Sequence, residues 1–389
     1  MISTMPVTRK EMVQRASALV PKLCERAERT EQLRRLPDET TADLIDAGLL
    51  RIGNPDRFGG VGLDIDAAFD VTMELGRGCG STAWCYSVLS THNWMLGHWP
   101  DQGQAEYFAD SPDTLASSGF DPSGARVEVV AGGYRLSGRW SFSSGCDAAQ
   151  WVMVSGVGPG GVLLFLVPMR EVTVDDTWFV SGLRGTGSKD VVIDDAFVPN
   201  HRVASMRRML EGQTDGWLLH GRPGYRAPLY ALMAVTLVAP IVGMARGAVE
   251  TFADQLRGRK LLDGTEMIHA VASQLRLAES SAEVDAARSL MRQNTREILD
   301  RVTRGETLSL LDRARYRRDQ AFMVKLGVRA ISRLVEGGGG HALLDSNPLQ
   351  RFHRDALAAS QHRQHRWDEA AEVYGRAALG LEIAPTARL

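Results

Sequence analysis

Residues 8–110 alternate apolar and polar positions with helical spacing, and the local punctuation agrees with that period. Pro37-Asp38-Glu39 opens one helix, with proline and acids suited to a first turn, and Gly48 closes it. Phe58-Gly59-Gly60-Val61-Gly62 is a glycine-rich stop, after which two more helices are predicted, over about 64–78 and 81–98. The period then changes. Val127-Glu128-Val129-Val130, a Gly132-Gly133 turn and Tyr134-Arg135-Leu136-Ser137 predict a hairpin. Strand-like runs follow at 151–154, 162–167 and 191–193, so 115–200 reads as a small antiparallel β unit. Residues 201–226, with Gly212, Gly216, Gly221, Pro223 and Gly224, read as a connecting loop and a candidate cover for a site. Helical spacing returns over about 228–259, 266–304, 307–336 and 348–380, four long segments that suggest a four-helix bundle. The expected units are a helical one over 1–113, a β one over 114–204 and the bundle over 205–389.

A chain of 389 residues exceeds one ordinary core and fits two or three packed units. Its net charge of −2 supplies no long-range field for nucleic acid or anionic lipid. Short basic groups, such as Arg257-Gly258-Arg259-Lys260, read as solvated helix faces. Cys24, Cys79, Cys85 and Cys146 form no Cys-x-x-Cys pair, so neither a zinc site nor a dithiol motif is signalled; reduced thiols in a cytoplasmic protein are the simplest account. The first ten residues show no apolar leader. The most apolar stretch, 227–245, carries Pro228, Pro240 and Gly243 and reads as a buried bundle helix, with no membrane implied.

Five marks occur in order: Phe58-Gly59-Gly60-Val61-Gly62; Gly138-Arg139-Trp140-Ser141-Phe142-Ser143-Ser144-Gly145; Asp194-Asp195-Ala196-Phe197-Val198-Pro199; Gly337-Gly338-Gly339-Gly340; and Arg354-Asp355. Their order and spacing resemble the acyl-CoA dehydrogenase superfamily over essentially the whole chain. That resemblance implies an α+β, mostly α, fold with an N-terminal helical domain, a middle antiparallel β-barrel and a C-terminal four-helix bundle. Many of those dehydrogenases carry a catalytic glutamate soon after the Arg-Asp pair; here stand Ser360, Gln361 and His362. Removing a proton alpha to a thioester carbonyl needs a base such as a carboxylate. The other location used for it, on the first bundle helix, is empty too, because 227–249 contain no Asp or Glu. The chain therefore resembles the oxygenase components of two-component flavin-dependent monooxygenases. These use reduced FMN or FAD from a separate NAD(P)H:flavin reductase, and O2, to hydroxylate small aromatic, mostly phenolic, substrates through a C4a-hydroperoxyflavin. Oxidation of nitrogen or sulfur, a flavin dehydrogenase of acyl thioesters, and a scaffold without cofactor are the rival readings.

The resemblance assigns candidate residues. Phe142, Ser143 and Ser144 end a predicted strand at the flavin's N5 and O4 edge, with Ser144 the chosen catalytic hydroxyl; an ordinary serine turn is the bland alternative. Trp84 and Ser117-Ser118-Gly119 are expected along the cofactor. His92, in Ser90-Thr91-His92-Asn93-Trp94, is expected beside the substrate, sharing the phenol proton and titrating near neutrality; otherwise it is a satisfied core histidine. His362 is expected to face the flavin C4a region, with His365 turned outward and no metal bound between them. Arg259 is expected on a flavin phosphate, and Gly339 and Gly340 close to cofactor, both toward a neighbouring subunit of a homotetramer or at least a dimer; a simple interhelix turn explains the glycine run equally well. Gly182 to Gly187 only superficially resembles a dinucleotide motif, since no helix follows a parallel strand there.

Overall fold

The structure is a computed structural model that describes residues 7–260, 263–384 and 387. Part of the N-terminal stretch read above for a leader lies outside them. The chain opens with α1 (Arg9–Leu33), α2 (Asp38–Asp46), α3 (Asp66–Gly76), α4 (Gly80–Leu96) and α5 (Asp101–Tyr107). Thr8 caps α1, accepting a hydrogen bond from the Glu11 N–H at 3.2 Å. Gly48 takes φ +70° just past α2, a left-handed stop that glycine adopts without strain.

Eight strands follow among the described residues: β1 (Ala116–Gly119), β2 (Ala125–Val130), β3 (Gly133–Ser143), β4 (Trp151–Gly158), β5 (Gly161–Pro168), β6 (Thr173–Asp175), β7 (Lys189–Pro199) and β8 (Val203–Ser205). They form two four-stranded sheets, ordered β1-β4-β5-β8 and β2-β3-β7-β6. The expected antiparallel barrel therefore differs in detail: there are two sheets, and β1 runs parallel to β4. Leu136, Trp140, Val152, Phe165, Val191 and Ile193, drawn from both sheets, share one apolar core.

Residues 206–226 are not the open loop expected from their glycines. They hold α6 (Met206–Leu210), α7 (Gly216–His220) and a 3-10 turn, Pro223–Arg226, with Tyr225 buried against Trp94 and His98. Aromatic packing supplied the order that the glycine count concealed.

The bundle is α8 (Leu229–Leu256), α9 (Val271–Thr303), α10 (Leu310–Gly338), α11 (Pro348–Ser360) and α12 (Trp367–Ala378). The fourth expected helix is two, because the chain turns through a 3-10 segment, Arg363–His365, between α11 and α12. α8 is long and apolar enough to cross a membrane by length and composition, but 83% of its most apolar window is buried inside the fold. It packs on α3, α4, α9, α10 and α11. Its crossing with α3 is close at Gly76 and Gly243, where a side chain on Gly76 would meet the Gly243 backbone at 2.9 Å. One apolar core runs unbroken from α1, α3 and α4 into the bundle.

Candidate functional site

A cavity of about 500 Å³ opens where α4, β1, the end of β3, α8 and the α11–α12 turn converge. That is a volume suited to a cofactor ring or a small ligand. Of the residues expected from sequence, Trp84, His92 and Ser118 line it, as do Gly119, Phe142, Ser144 and His362. Ser117, Ser143, Arg259, Gly339 and Gly340 do not. Ser143 is fully buried and donates to the Ser117 hydroxyl at 3.0 Å, tying β3 to β1 behind the cavity wall. Arg259 reaches the Gly338 carbonyl at 3.4 Å, beside exposed Gly339 and Gly340, at a separate location in the chain's own fold.

The wall that carries Ser144 is built by an irregularity. The β3–β7 register shifts between Trp140 and Ser143, and Phe142 takes φ +65°. The Ser144 N–H closes on the Phe142 carbonyl at 2.9 Å. A left-handed aromatic residue costs about 1–2 kcal/mol, and such strain persists where surrounding structure enforces it. Its effect is to turn the Phe142 ring outward, 71% exposed and edge-on to Trp178 at 6.0 Å, while Ser144 turns inward. Two aromatic rings at an open cavity edge fit a flat conjugated ligand.

The Ser144 hydroxyl sits in a chain of polar contacts. It accepts from Trp84 Nε1 at 3.3 Å and lies 2.6 Å from the Ser188 hydroxyl, which is 2.7 Å from that of Thr186. Thr186 donates to the Leu183 carbonyl at 2.9 Å. Leu183 has φ +52°, and its N–H donates to the buried Asp355 carboxyl at 2.6 Å. Burial pushes that carboxyl up to about 7. Arg354 and Arg351, on the same helix, pair with Glu31 of α1 at 2.8 and 2.9 Å and fix its pose. The Arg354-Asp355 mark thus supports the hydroxyl chain from outside the cavity. Asp355→Ala, which strands the Leu183 N–H, should lower unfolding stability by about 1–3 kcal/mol, and Asp355→Asn, which keeps an acceptor, by less. Chemical denaturation checks both.

His92 is 5% exposed and lies on α4 with Nδ1 2.7 Å from the Ala116 carbonyl. A carbonyl only accepts, so Nδ1 carries the proton and Nε2 is left as the basic nitrogen. Burial pushes the ring down to about 4. The expectation that it titrates near neutrality is therefore corrected: the ring is neutral across the physiological range, a standing base. Phe120 meets it edge-on at 5.8 Å.

His362 begins the 3-10 turn, where its Nδ1 accepts from the Gln364 N–H at 3.3 Å. It stands 6.1 Å from the Trp84 ring. His365 does not point outward as expected. It is 4% exposed, with Nδ1 on the Ala359 carbonyl at 2.9 Å, because the break after Ser360 folds the chain back on α11. Among the described residues, no group of three or more His, Cys, Asp or Glu is arranged to hold a metal.

Sequence reasoning missed Thr91 and Thr236, whose hydroxyls meet at 2.8 Å across α4 and α8 in the cavity wall. A lone hydroxyl in the apolar run 231–245 was the available signal. It also missed Trp178, Ser188 and Phe120. Among the described residues, Asp121 is the only carboxylate lining the cavity; its side chain is 62% exposed, 4.0 Å from Arg363.

Residues 8–109 match the acyl-CoA dehydrogenase N-terminal domain, and 235–367 match its C-terminal domain. HsaA of Rhodococcus jostii, the oxygenase subunit of a flavin-dependent monooxygenase, is 36% identical over 381 residues, spanning 96% of this chain and 100% of its own. This chain belongs to the flavin-dependent monooxygenase oxygenase subunits. The oxygenase is also 35% identical to the oxygenase component of an FADH2-dependent resorcinol hydroxylase from Rhizobium, covering 92% and 91% of the two chains. Its fold superposes on the crystal structure of 3-HSA hydroxylase from Rhodococcus sp. RHA1 with a TM-score of 0.92 at 35% identity, over 97% and 99% of the two chains. The resorcinol relative is named FADH2-dependent, and the structure of XiaF from Streptomyces sp., 29% identical with a TM-score of 0.90, is a complex with FADH2. The cavity's edge-on aromatic pair, exposed Phe142 and half-buried Trp178, and its buried hydroxyl chain fit a flavin.

Proposed function

We propose that the oxygenase hydroxylates a small phenol, with O2 as oxidant and reduced flavin delivered by a separate NAD(P)H:flavin reductase. The observation that carries this reading is the neutral, buried His92, whose Nε2 is the free basic nitrogen in a cavity whose one lining carboxylate is exposed. Bound reduced flavin supplies the electrons and, with O2, the oxygen atom. The protein's own groups do the rest. His92 Nε2 accepts the hydrogen of the phenol hydroxyl, raising electron density on the ring carbon that is attacked. Thr91 and Thr236 orient that hydroxyl, and Phe120, Met233 and Leu237 hold the aromatic ring and exclude water. Phe142, Trp178, Ser118, Gly119 and Ser144, which line one side of the cavity, would hold the flavin ring. His362, beside Trp84 in the same cavity, would stand next to the bound flavin.

The division into units at 1–113, 114–204 and 205–389 fits this reading, with the cavity where all three meet. Arg259, Gly339 and Gly340 then serve a neighbouring subunit's cofactor in a homotetramer, and the cysteines are free thiols in a cytosolic enzyme. Acyl thioester dehydrogenation is the rival, and the exposed Asp121 is a poor base for it. An unrelated flavin reductase with NADH, added to the purified protein and a panel of phenols, should give hydroxylated product. Dehydrogenation of an acyl-CoA thioester with no phenol oxidised would reject the proposal.

A further inference from the structure

The hydroxyl chain behind Ser144 has a direction. Each hydroxyl has one hydrogen to give. Thr186 gives its hydrogen to the Leu183 carbonyl, so toward Ser188 it can only accept. Ser188 therefore donates to Thr186, and Ser144 donates to Ser188. Ser144 also accepts from Trp84 Nε1. What remains to Ser144 on the cavity side is a lone pair: in this arrangement it is an acceptor.

Turning the chain round is possible only at a cost. For Ser144 to donate into the cavity, Ser188 must donate to Ser144 and Thr186 to Ser188, and the Thr186–Leu183 hydrogen bond is lost. The flavin ring changes hydrogen-bond sense with redox state: N5 is an acceptor when oxidised and an N–H donor when reduced. The carbonyl oxygens and N3–H keep their sense in both states. A directed acceptor can therefore tell the two redox states apart at N5.

We infer that Thr186 and Ser188 are redox-selecting residues: by directing the Ser144 hydrogen away from the cavity, they make Ser144 an acceptor for the N–H that only reduced flavin carries. Thr186 is 1% exposed and does not line the cavity, so its action is indirect and it is a positioning residue. The benefit is turnover. Oxidised flavin must turn the chain round to be held at N5, and so leaves more readily.

The inference rests on the flavin reading above, and its test separates the two. Dissociation constants for FAD and FMN, oxidised in air and photoreduced under argon, are measured by titration on the wild type, Thr186→Val, Thr186→Ser and Ser188→Ala. One hydrogen bond's worth of bias corresponds to about threefold to tenfold in affinity ratio. Thr186→Val removes the terminal donor yet leaves the Leu183 carbonyl its bonds from the Thr186 backbone N–H and Trp178. It should tighten oxidised flavin and cut the preference for reduced flavin by that factor, and Thr186→Ser should restore it. Ser188→Ala should act in the same direction, and decides alone if Thr186→Val fails to fold. Equal weakening of both redox states, or an unchanged ratio in both variants, overturns the inference while leaving the flavin reading intact. A wild type that binds flavin in neither state overturns both.

Discussion

His92→Asn is expected to slow phenol hydroxylation about a hundredfold or more, the usual scale for losing a positioned base. Reduced-flavin binding should change little. The substitution is chosen for geometry. An Asn side-chain amide can still donate to the Ala116 carbonyl in place of Nδ1, and it deletes the basic Nε2. The pH dependence follows from the folded-state value of about 4. A buried histidine pushed down to that value is already deprotonated above about pH 5, so wild-type hydroxylation should show no acidic limb from His92 between pH 5 and 8. The limb appears only as pH falls through about 4. In His92→Asn the substrate must ionise unaided, so its rate should climb with pH toward the phenol's own pKa, about 10 for an unperturbed phenol. Single-turnover product yields across pH check this. A wild-type profile with a histidine limb near 6.5, or an Asn variant at wild-type rate, would remove His92 from the chemistry.

Ser144→Ala is expected to divert oxygen from product to hydrogen peroxide, with the peroxide formed per reduced flavin rising several-fold or more. The loss is the hydroxyl's two hydrogen bonds in the cavity wall, each worth about 1–3 kcal/mol where a buried partner is left unpaired. Trp84 Nε1 and the Ser188 hydroxyl both lose a contact in that variant, so the wall loosens as well as losing a polar group. Ser143→Ala is the control. Its hydroxyl faces Ser117 behind the wall, so it should cost stability with little change in peroxide yield. Peroxide and product assayed together separate the outcomes; equal peroxide yields in wild type and Ser144→Ala would contradict the role given to Ser144.

The parts of this molecule that were legible in the sequence are those set by local rules. Helical period, the Gly132-Gly133 hairpin turn and the Gly48 stop gave elements close to those observed, and marks spaced along the chain gave the fold. His92, Ser144 and His362 come from three distant segments, and only the resemblance suggested that one cavity gathers them. What was hidden depends on tertiary environment. No local signal in Ser360-Gln361-His362 says that the helix breaks there, which is why His365 was expected outside and is buried. The tautomer and low pKa of His92 come from the Ala116 carbonyl on a strand 24 residues away, and from burial. Thr186 lay in, and Ser188 just past, the Gly182 to Gly187 stretch, which drew notice only for what it was not.

The most direct test of the central claim is an isotope measurement. The purified oxygenase, loaded under argon with photoreduced FAD or FMN and a panel of small phenols, is mixed with 18O2 and the products are weighed by mass spectrometry. The account predicts that at least one phenol gains a single 18O atom in a new ring hydroxyl, in an amount limited by the reduced flavin supplied. It is contradicted if no phenol gains 18O while the oxidised-flavin form of the protein dehydrogenates an acyl-CoA thioester in the absence of oxygen.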